Sequence, residues 1–231
     1  KLLTGRKIVG AEGFGAYVEI LLEDDMRLAV SDGVNLRLYR PEAEIPAKYQ
    51  LLLTLDDGSF LVFTVAMYGG IIAFRGIFEN PYYLGAKTKR SPLDAEFDAE
   101  YFRGMLAGVK QNLSAKAFLA TEQRIPGVGN GVTQDILFNA GIHPKQKVLD
   151  LSDGQKGALF KSLKDTLMAM TSGRGRDTQT DLYGNEGGYK TILSSRTWKN
   201  PCPRCGSVIV KEAYLGGSVY YCPECQKIRK I

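Results

Sequence analysis

Four cysteines, the only ones in the chain, form two Cys-x-x-Cys pairs near the C-terminus, at Cys202, Cys205, Cys222 and Cys225. Each pair turns tightly enough to aim two sulfurs at one ion, and a separation of 16 residues is typical of a four-thiolate zinc site. A disulfide pair or a redox motif is the alternative. A chain of 231 residues has core enough without cross-links, however, and redox motifs do not come in matched pairs. Four sulfur ligands leave no open coordination position, so the sequence predicts one structural zinc ion.

The segment between the two cysteine pairs is rich in β-forming residues. It reads SVIVKEAYL and then GGSVYY, and Gly216 and Gly217 stand at the join. This pattern predicts a two-stranded hairpin. Residues 197–231 are therefore predicted to form a zinc finger built on a β-hairpin.

The N-terminal half has the pattern of an antiparallel sheet or sandwich. Short apolar segments of strand length follow one another from residue 16 to residue 75, and turn signals such as Asp57-Gly58 separate them. We predict an incomplete β-sandwich domain over residues 1–78. Residues 79–94 contain prolines and mixed charge, which predicts a linker.

Beyond the linker the apolar residues recur three and four positions apart, which predicts helices. The predicted helix boundaries are the N-caps Ser114 and Ser152 and the terminal glycines Gly141 and Gly173. The helices are followed by a polar, glycine-rich tract at residues 173–190, which is too long for a simple connector. With residues 95–196 as a helical domain, the predicted fold class is α+β.

A glycine turn precedes one of these helices. Pro126, Gly127 and Gly129 lead into a helix that is predicted to begin at Asn130, with Asn130 as its N-cap. The first turn of a helix exposes N–H groups and the positive end of the helix dipole, and glycines let a phosphate approach the backbone. The alternative is that the turn only connects two packed helices.

Charge is unevenly distributed along the chain. The net charge is +5, but residues 111–231 carry 17 Lys+Arg against 10 Asp+Glu, whereas residues 1–110 carry 13 against 15. A basic half that includes a zinc finger favours a nucleic-acid backbone as partner, and a solvated basic face is the alternative.

Apolar runs in the chain fall short of the ~20 residues that cross a bilayer, so no membrane partner is predicted. Free cysteines placed for metal predict a reducing, cytoplasmic location. We also expect a monomer, and a nucleoid-associated one if its partner is DNA.

The order of these elements is similar to that of a known family. A β-rich half, the segment LSAKAFLATEQRIPGVGNGVTQDILFNAGIHP and a finger that ends CPECQK together resemble the formamidopyrimidine-DNA glycosylase and endonuclease VIII family. The resemblance implies a helix-two-turn-helix domain and a zinc finger that together hold damaged or abasic duplex DNA. It also implies a bifunctional enzyme that excises an oxidised base and cleaves the abasic strand.

The resemblance also assigns binding residues. Lys116 and Asn130 match the phosphate-contacting lysine and asparagine of the family, beside Gly127 and Gly129 of the glycine turn. The tract at residues 173–190 stands where the family has a lesion-sensing loop. Its cations suit contacts to phosphate or bases, and a solvated loop is the alternative. The cations are Arg174, Arg176 and Lys190.

Several family positions differ in this chain. The family nucleophile is an N-terminal proline followed by glutamate, whereas this chain begins Lys-Leu-Leu-Thr, so its catalytic residues are unknown. We expect an N-terminal segment in the full-length enzyme and no activity without it. The resemblance places a family lysine near Ala16, one family arginine near Met67 and a second at Gly217, so these three cations are absent here. The alternative is a non-catalytic zinc protein that binds damaged or bent DNA; a weaker one is binding to RNA or the ribosome.

Overall fold

The structure is a computed structural model that describes residues 2–66 and 68–228. Met67, which the sequence places at a family arginine, lies outside these residues. The chain divides into two units, one made of residues up to Thr88 with Asp177–Gly187, the other of Lys89–Arg176 with the residues from Gly188 onward. Within the described ranges, no helix has both the length and the apolar character needed to cross a membrane.

The first unit contains two antiparallel sheets. The first sheet has the strand order β1-β2-β3-β7 and the second the order β4-β6-β5. The strands are β1 Ile8–Phe14, β2 Tyr17–Leu22, β3 Met26–Ser31, β4 Val34–Tyr39, β5 Leu51–Thr54, β6 Phe60–Val65 and β7 Ile71–Arg75.

The two sheets share one apolar core. Ile20 and Leu28 of the first sheet are buried in the same cluster as Leu61 and Phe63 of the second. Inward-facing residues of two sheets form such a core in a β-sandwich. The predicted antiparallel sandwich is therefore confirmed, including the turn at Asp57-Gly58, where Thr54 pairs with Phe60.

Three features of this unit differ from the sequence-based expectation. Strand β1 was not predicted, because its segment IVGAEGF contains two glycines and alternates weakly. The interval expected to be a linker contains helix α1, Pro81–Thr88. The middle of the glycine-rich tract, Asp177–Gly187, folds with this unit rather than with the helices.

Helix α1 is held to the first sheet by a buried carboxylate. Glu19 on β2 is fully buried and accepts hydrogen bonds from the Tyr83 hydroxyl and, at 2.9 Å, from Lys87 Nζ. Burial opposes ionisation of Glu19, but these hydrogen bonds outweigh it and lower its pKa below the usual value. The contact therefore pairs the buried charge of Glu19 with Lys87 where α1 packs on the sheet.

The second unit contains four helices among its described residues: α2 Ala99–Ala107, α3 Ala115–Ala120, α4 Asn130–Ala140 and α5 Asp153–Ser172. Their apolar faces meet in one core, which includes Phe102, Phe118, Ile136 and Leu159.

The predicted helix boundaries are confirmed. Ser114 accepts a hydrogen bond from the Ala117 N–H, and Ser152 forms a capping box with Gln155. Gly141 ends α4 in the left-handed conformation, and Gly173 is the C-cap of α5.

The C-terminal hairpin consists of β8 Val210–Tyr214 and β9 Gly217–Tyr221. The predicted hairpin is confirmed, but its turn is one residue earlier than expected. Leu215 and Gly216 both have positive φ, 50° and 72°, as a two-residue type I′ turn requires, and Gly217 is the first residue of β9. We call Leu215–Gly217 the hairpin tip.

The chain passes between the two sheets at two turns. These turns are in contact at Gly33 and Gly69. Gly33 follows β3 with φ +92°, and a Cβ added there would lie 2.7 Å from the Ala66 carbonyl oxygen and 2.9 Å from the Gly69 nitrogen. The Ala66 N–H donates to the Gly33 carbonyl at 2.7 Å. A side chain at residue 33 would therefore separate the crossings.

We expect Gly33→Ala to destabilise the protein by about 1 kcal/mol for the left-handed backbone and by a further 1–3 kcal/mol or so for the collision. Gly76→Ala is the control, because φ is +68° there but an added Cβ meets nothing within 4 Å. Thermal melting of both variants checks this. Equal losses would show that the crossings are not in contact.

Candidate nucleic-acid interface

The four cysteines of the finger meet at one point. Their sulfur atoms all lie within 4.8 Å of one another, with Cys202 and Cys225 3.8 Å apart and Cys205 and Cys222 3.4 Å apart. Four bonds of about 2.3 Å to a tetrahedral zinc ion place sulfurs about 3.8 Å apart. The donor set and its spacing therefore fit one zinc ion with no open position, as the sequence predicted.

The thiols of Cys205 and Cys222 differ in acidity. The hydrogen bond to Ser207 lowers the pKa of the exposed Cys205 thiol to about 6, whereas burial raises the pKa of Cys222. Because zinc binds thiolates, metal binding near neutral pH releases the proton of Cys222.

The glycine turn has a buried side and an exposed side. Ile125 and Val128 are buried in the helical core, whereas Gly127 is exposed and has φ +78°, a conformation that favours glycine. Helix α4 begins at Asn130, as predicted. The N-cap, however, is Gly129, which offers no side-chain hydrogen bond, so the expectation that Asn130 is the cap was wrong.

The Asn130 side chain is directed at the finger. Its Nδ2 donates to the Ser218 carbonyl of β9 at 3.2 Å. Gly217 lies beside it, because a Cβ added to Gly217 would be 3.3 Å from Asn130 Nδ2. The structure thus brings the hairpin tip to the first turn of α4, where backbone N–H groups are available to an anion.

The Gln134 side chain, which the sequence analysis missed, lies beneath this contact. It is 3% exposed, and its Nε2 donates to the Ser218 carbonyl and to the Asn130 carbonyl, at 3.1 Å each. Its Oε1 accepts from the Tyr220 N–H at 3.1 Å. The available signal was a long polar residue on a helix face that otherwise carries buried apolar residues.

A second buried amide makes a similar contact at the metal end of the finger. Gln226 accepts a hydrogen bond from the Cys222 N–H and donates to the Ile142 carbonyl, both at 2.9 Å. The finger is therefore attached to the helical domain at both ends through side-chain amides.

Lys116 on α3 is buried behind the hairpin tip. It is 2% exposed, its Nζ donates to the Tyr214 carbonyl at the end of β8, and burial lowers its pKa. The ammonium group therefore has a protein partner in this structure. Its contact with phosphate stays a prediction.

The two ends of the glycine-rich tract run side by side. The Tyr189 N–H donates to the Gly175 carbonyl at 3.0 Å, and the Arg176 guanidinium packs so closely on Gly131 that an added Cβ would collide with it. Arg176 thus reaches the first turn of α4. Arg174 and Lys190 lie on the same paired segments and are exposed.

Asp135, also missed from the sequence, attaches the segment that follows this tract to α4. It is fully buried and accepts hydrogen bonds from the Ile192 N–H at 3.0 Å and the Leu193 N–H at 2.8 Å. Burial raises its pKa, and Arg176 acts in the opposite direction.

Two family profiles match the part of the chain that follows residue 88. The profile of the "Formamidopyrimidine-DNA glycosylase H2TH domain" matches residues 89–180, and that of the "Zinc finger found in FPG and IleRS" matches residues 199–228. The first includes the glycine turn and the second includes all four cysteines.

Full-length relatives are similar along nearly the whole chain. The formamidopyrimidine-DNA glycosylase of Carboxydothermus hydrogenoformans is 34% identical, over 97% of this chain and 83% of the relative. That of Ureaplasma parvum is 28% identical, over 98% of this chain and 84% of the relative.

Solved structures share the fold. Lactococcus lactis Fpg in complex with DNA containing an abasic site has a TM-score of 0.82 at 25% identity, over 97% of this chain and 84% of that one. A mutant of the same protein with Fapy-dG containing DNA has a TM-score of 0.83 at 26% identity, with the same coverage.

Cys222→Ser should lower bound zinc from one equivalent to less than about half, because the buried thiolate is lost. Elemental analysis of freshly purified protein measures this, and a retained helical circular dichroism signal shows that the helical core is intact. Ser207→Ala is the control. It removes a hydrogen bond from Cys205 but no ligand, so it should keep the zinc. Full zinc in the Cys222→Ser variant would contradict the four-thiolate site.

Proposed function

The chain belongs to the formamidopyrimidine-DNA glycosylase family, and from that membership we propose that it is a monomeric repair protein that binds damaged or abasic duplex DNA. One observation carries the proposal: the hairpin tip of the zinc finger lies directly against Asn130 at the start of α4. Two elements that the family uses on DNA thereby present one continuous surface.

A backbone phosphate fits this surface for chemical reasons. The first turn of α4 supplies N–H groups and the positive end of the helix dipole, and Asn130 adds an amide that has a second hydrogen to donate. Gly127 and Gly129 carry no side chains that would keep a phosphate away. We assign the phosphate contact to these residues, with Lys116 as the nearby charge.

Cations of the glycine-rich tract extend the proposed interface. Arg176 lies on the first turn of α4, and Arg174 and Lys190 are exposed on the neighbouring segments. The excess of cations over residues 111–231 supports association with a polyanion. In this proposal the predicted domains at residues 95–196 and 197–231 act together on DNA.

The proposed reaction is the family's excision of an oxidised base followed by cleavage of the abasic strand. A second candidate is a non-catalytic protein for damaged or bent DNA. Gly217 favours it, since this residue offers no cation where the resemblance places an arginine, and so does Ala16 in place of a lysine.

The experiment uses protein produced from its complete open reading frame. It is incubated with duplexes that contain an oxidised guanine, an abasic site or no damage. We expect base release from the oxidised-guanine duplex, strand cleavage and a borohydride-trapped adduct with both damaged duplexes, and none of these with the undamaged duplex. Tight binding to damaged duplex without base release supports the second candidate. Preference for structured RNA over every duplex would overturn both.

Lys116→Met tests the phosphate assignment. If the ammonium contacts phosphate, binding should weaken about equally for damaged and undamaged duplex, and the slope of log affinity against log salt should fall by about one. Titrations around ~100 mM salt measure the slope. A salt slope equal to that of the parent would mean that Lys116 contacts no phosphate and only donates to the Tyr214 carbonyl.

Asn130→Ala is the neutral counterpart. It should weaken binding without changing the salt slope, because no charge is removed. Gly129 is the helix cap, so the melting temperature should stay close to that of the parent. If both this variant and Lys116→Met bind duplex as tightly as the parent, the turn is only a connector.

A further inference from the structure

The edge of strand β9 that does not pair with β8 faces helix α4, and its backbone N–H and carbonyl groups need hydrogen-bond partners there. The backbone groups of successive residues in a strand point alternately to either side. Since the Ser218 carbonyl and the Tyr220 N–H point to helix α4, those of Val219 point to β8. Val219 and Tyr220 are buried, so a missing partner would leave polar groups without water.

A single side chain supplies both partners. Gln134 donates to the Ser218 carbonyl and accepts from the Tyr220 N–H, at 3.1 Å each, much as a peptide group of a neighbouring strand would. Its amide is planar and buried, so its position fixes the position of the hairpin edge along α4.

The same amide also fixes Asn130. Gln134 Nε2 lies 3.1 Å from the Asn130 carbonyl and 3.4 Å from its Oδ1, and Asn130 Nδ2 shares the Ser218 carbonyl at 3.2 Å. The Gln134 amide therefore contacts three backbone groups and the Asn130 side chain. Gly217, which precedes Ser218 on β9, is held beside Asn130 as a result.

We propose that Gln134 is a positioning residue for DNA binding, which sets the hairpin tip and the Asn130 amide at the separation that holds one backbone phosphate. The inference rests on the proposed function of this surface. It assigns Gln134 no contact with DNA, so its effect on binding passes through the placement of the Asn130 amide against the tip.

Gln226 provides a matched control within the same finger. It makes a similar pair of amide contacts, but to the Cys222 N–H and the Ile142 carbonyl, at the metal end. Loss of Gln226 should therefore affect zinc retention more than DNA affinity. Loss of Gln134 should do the opposite.

The test replaces Gln134 by Met, which keeps length and removes every hydrogen bond. We expect Gln134→Met to lower affinity for abasic duplex about tenfold, as expected when the buried partners of an amide are lost. The salt slope should be unchanged, and one equivalent of zinc should be retained. Gln226→Met should lower zinc content and leave affinity per zinc-loaded molecule close to that of the parent.

A double-mutant cycle separates positioning from general stability. If Gln134 acts through Asn130, the combined variant Gln134→Met with Asn130→Ala should bind little worse than Asn130→Ala alone. Additive losses would overturn the proposal, because they would mean that Gln134 only stabilises the fold.

Hydrogen exchange tests the contact without DNA. The Tyr220 amide should exchange at least about tenfold faster in Gln134→Met, whereas the Val219 amide should be unaffected. Gln134→Glu should restore Tyr220 protection, since a carboxylate still accepts. It should not restore affinity, because it cannot donate to the Ser218 carbonyl. Unchanged Tyr220 exchange would overturn the contact. A parent that binds no duplex would instead overturn the proposed function.

Discussion

The attachment of the zinc finger to the helical domain depends on burial of the hairpin's outer edge. A two-stranded hairpin is marginal in water, and its free edge carries backbone groups that must be satisfied when covered. The metal fixes one end of the hairpin, and side-chain amides from α4 and from the finger satisfy the covered groups. The apolar cluster of Phe138, Ile209 and Tyr220 adds the burial that no hairpin of this size provides by itself.

This attachment determines what the surface offers to a ligand. The hairpin tip contributes backbone, α4 contributes its first turn, and Asn130 contributes a neutral amide. The cations near this surface lie around it rather than on it. Lys116 is buried and donates to the Tyr214 carbonyl, and Arg176 packs on Gly131. Directional contacts and long-range attraction thus come from different residues, which suits a site that positions a phosphate without reading sequence.

The sequence predicted the parts with strong local signals. Cysteine spacing identified the zinc site, Ser114 and Ser152 identified helix starts, and short apolar segments between turn signals identified six of the seven described strands of the sandwich. It missed Gln134 and Asp135, because their partners lie 84 to 86 and 57 to 58 residues away and no local pattern connects them. Asn130 was assigned as a cap from residue type, whereas Gly129 takes that position in the extended conformation.

The packing around Gly217 leaves little room for a side chain at this position. A Cβ at this position would approach Asn130 Nδ2 to 3.3 Å, so Asn130 would have to shift by a few tenths of an ångström to admit any larger residue. That shift would strain the bond to the Ser218 carbonyl, which Gln134 shares. Glycine at the tip therefore leaves the arrangement of Asn130 and Gln134 undisturbed. In the proposed function, a chain with glycine here would bind phosphate through amides and backbone, and the cations around the site would supply the attraction.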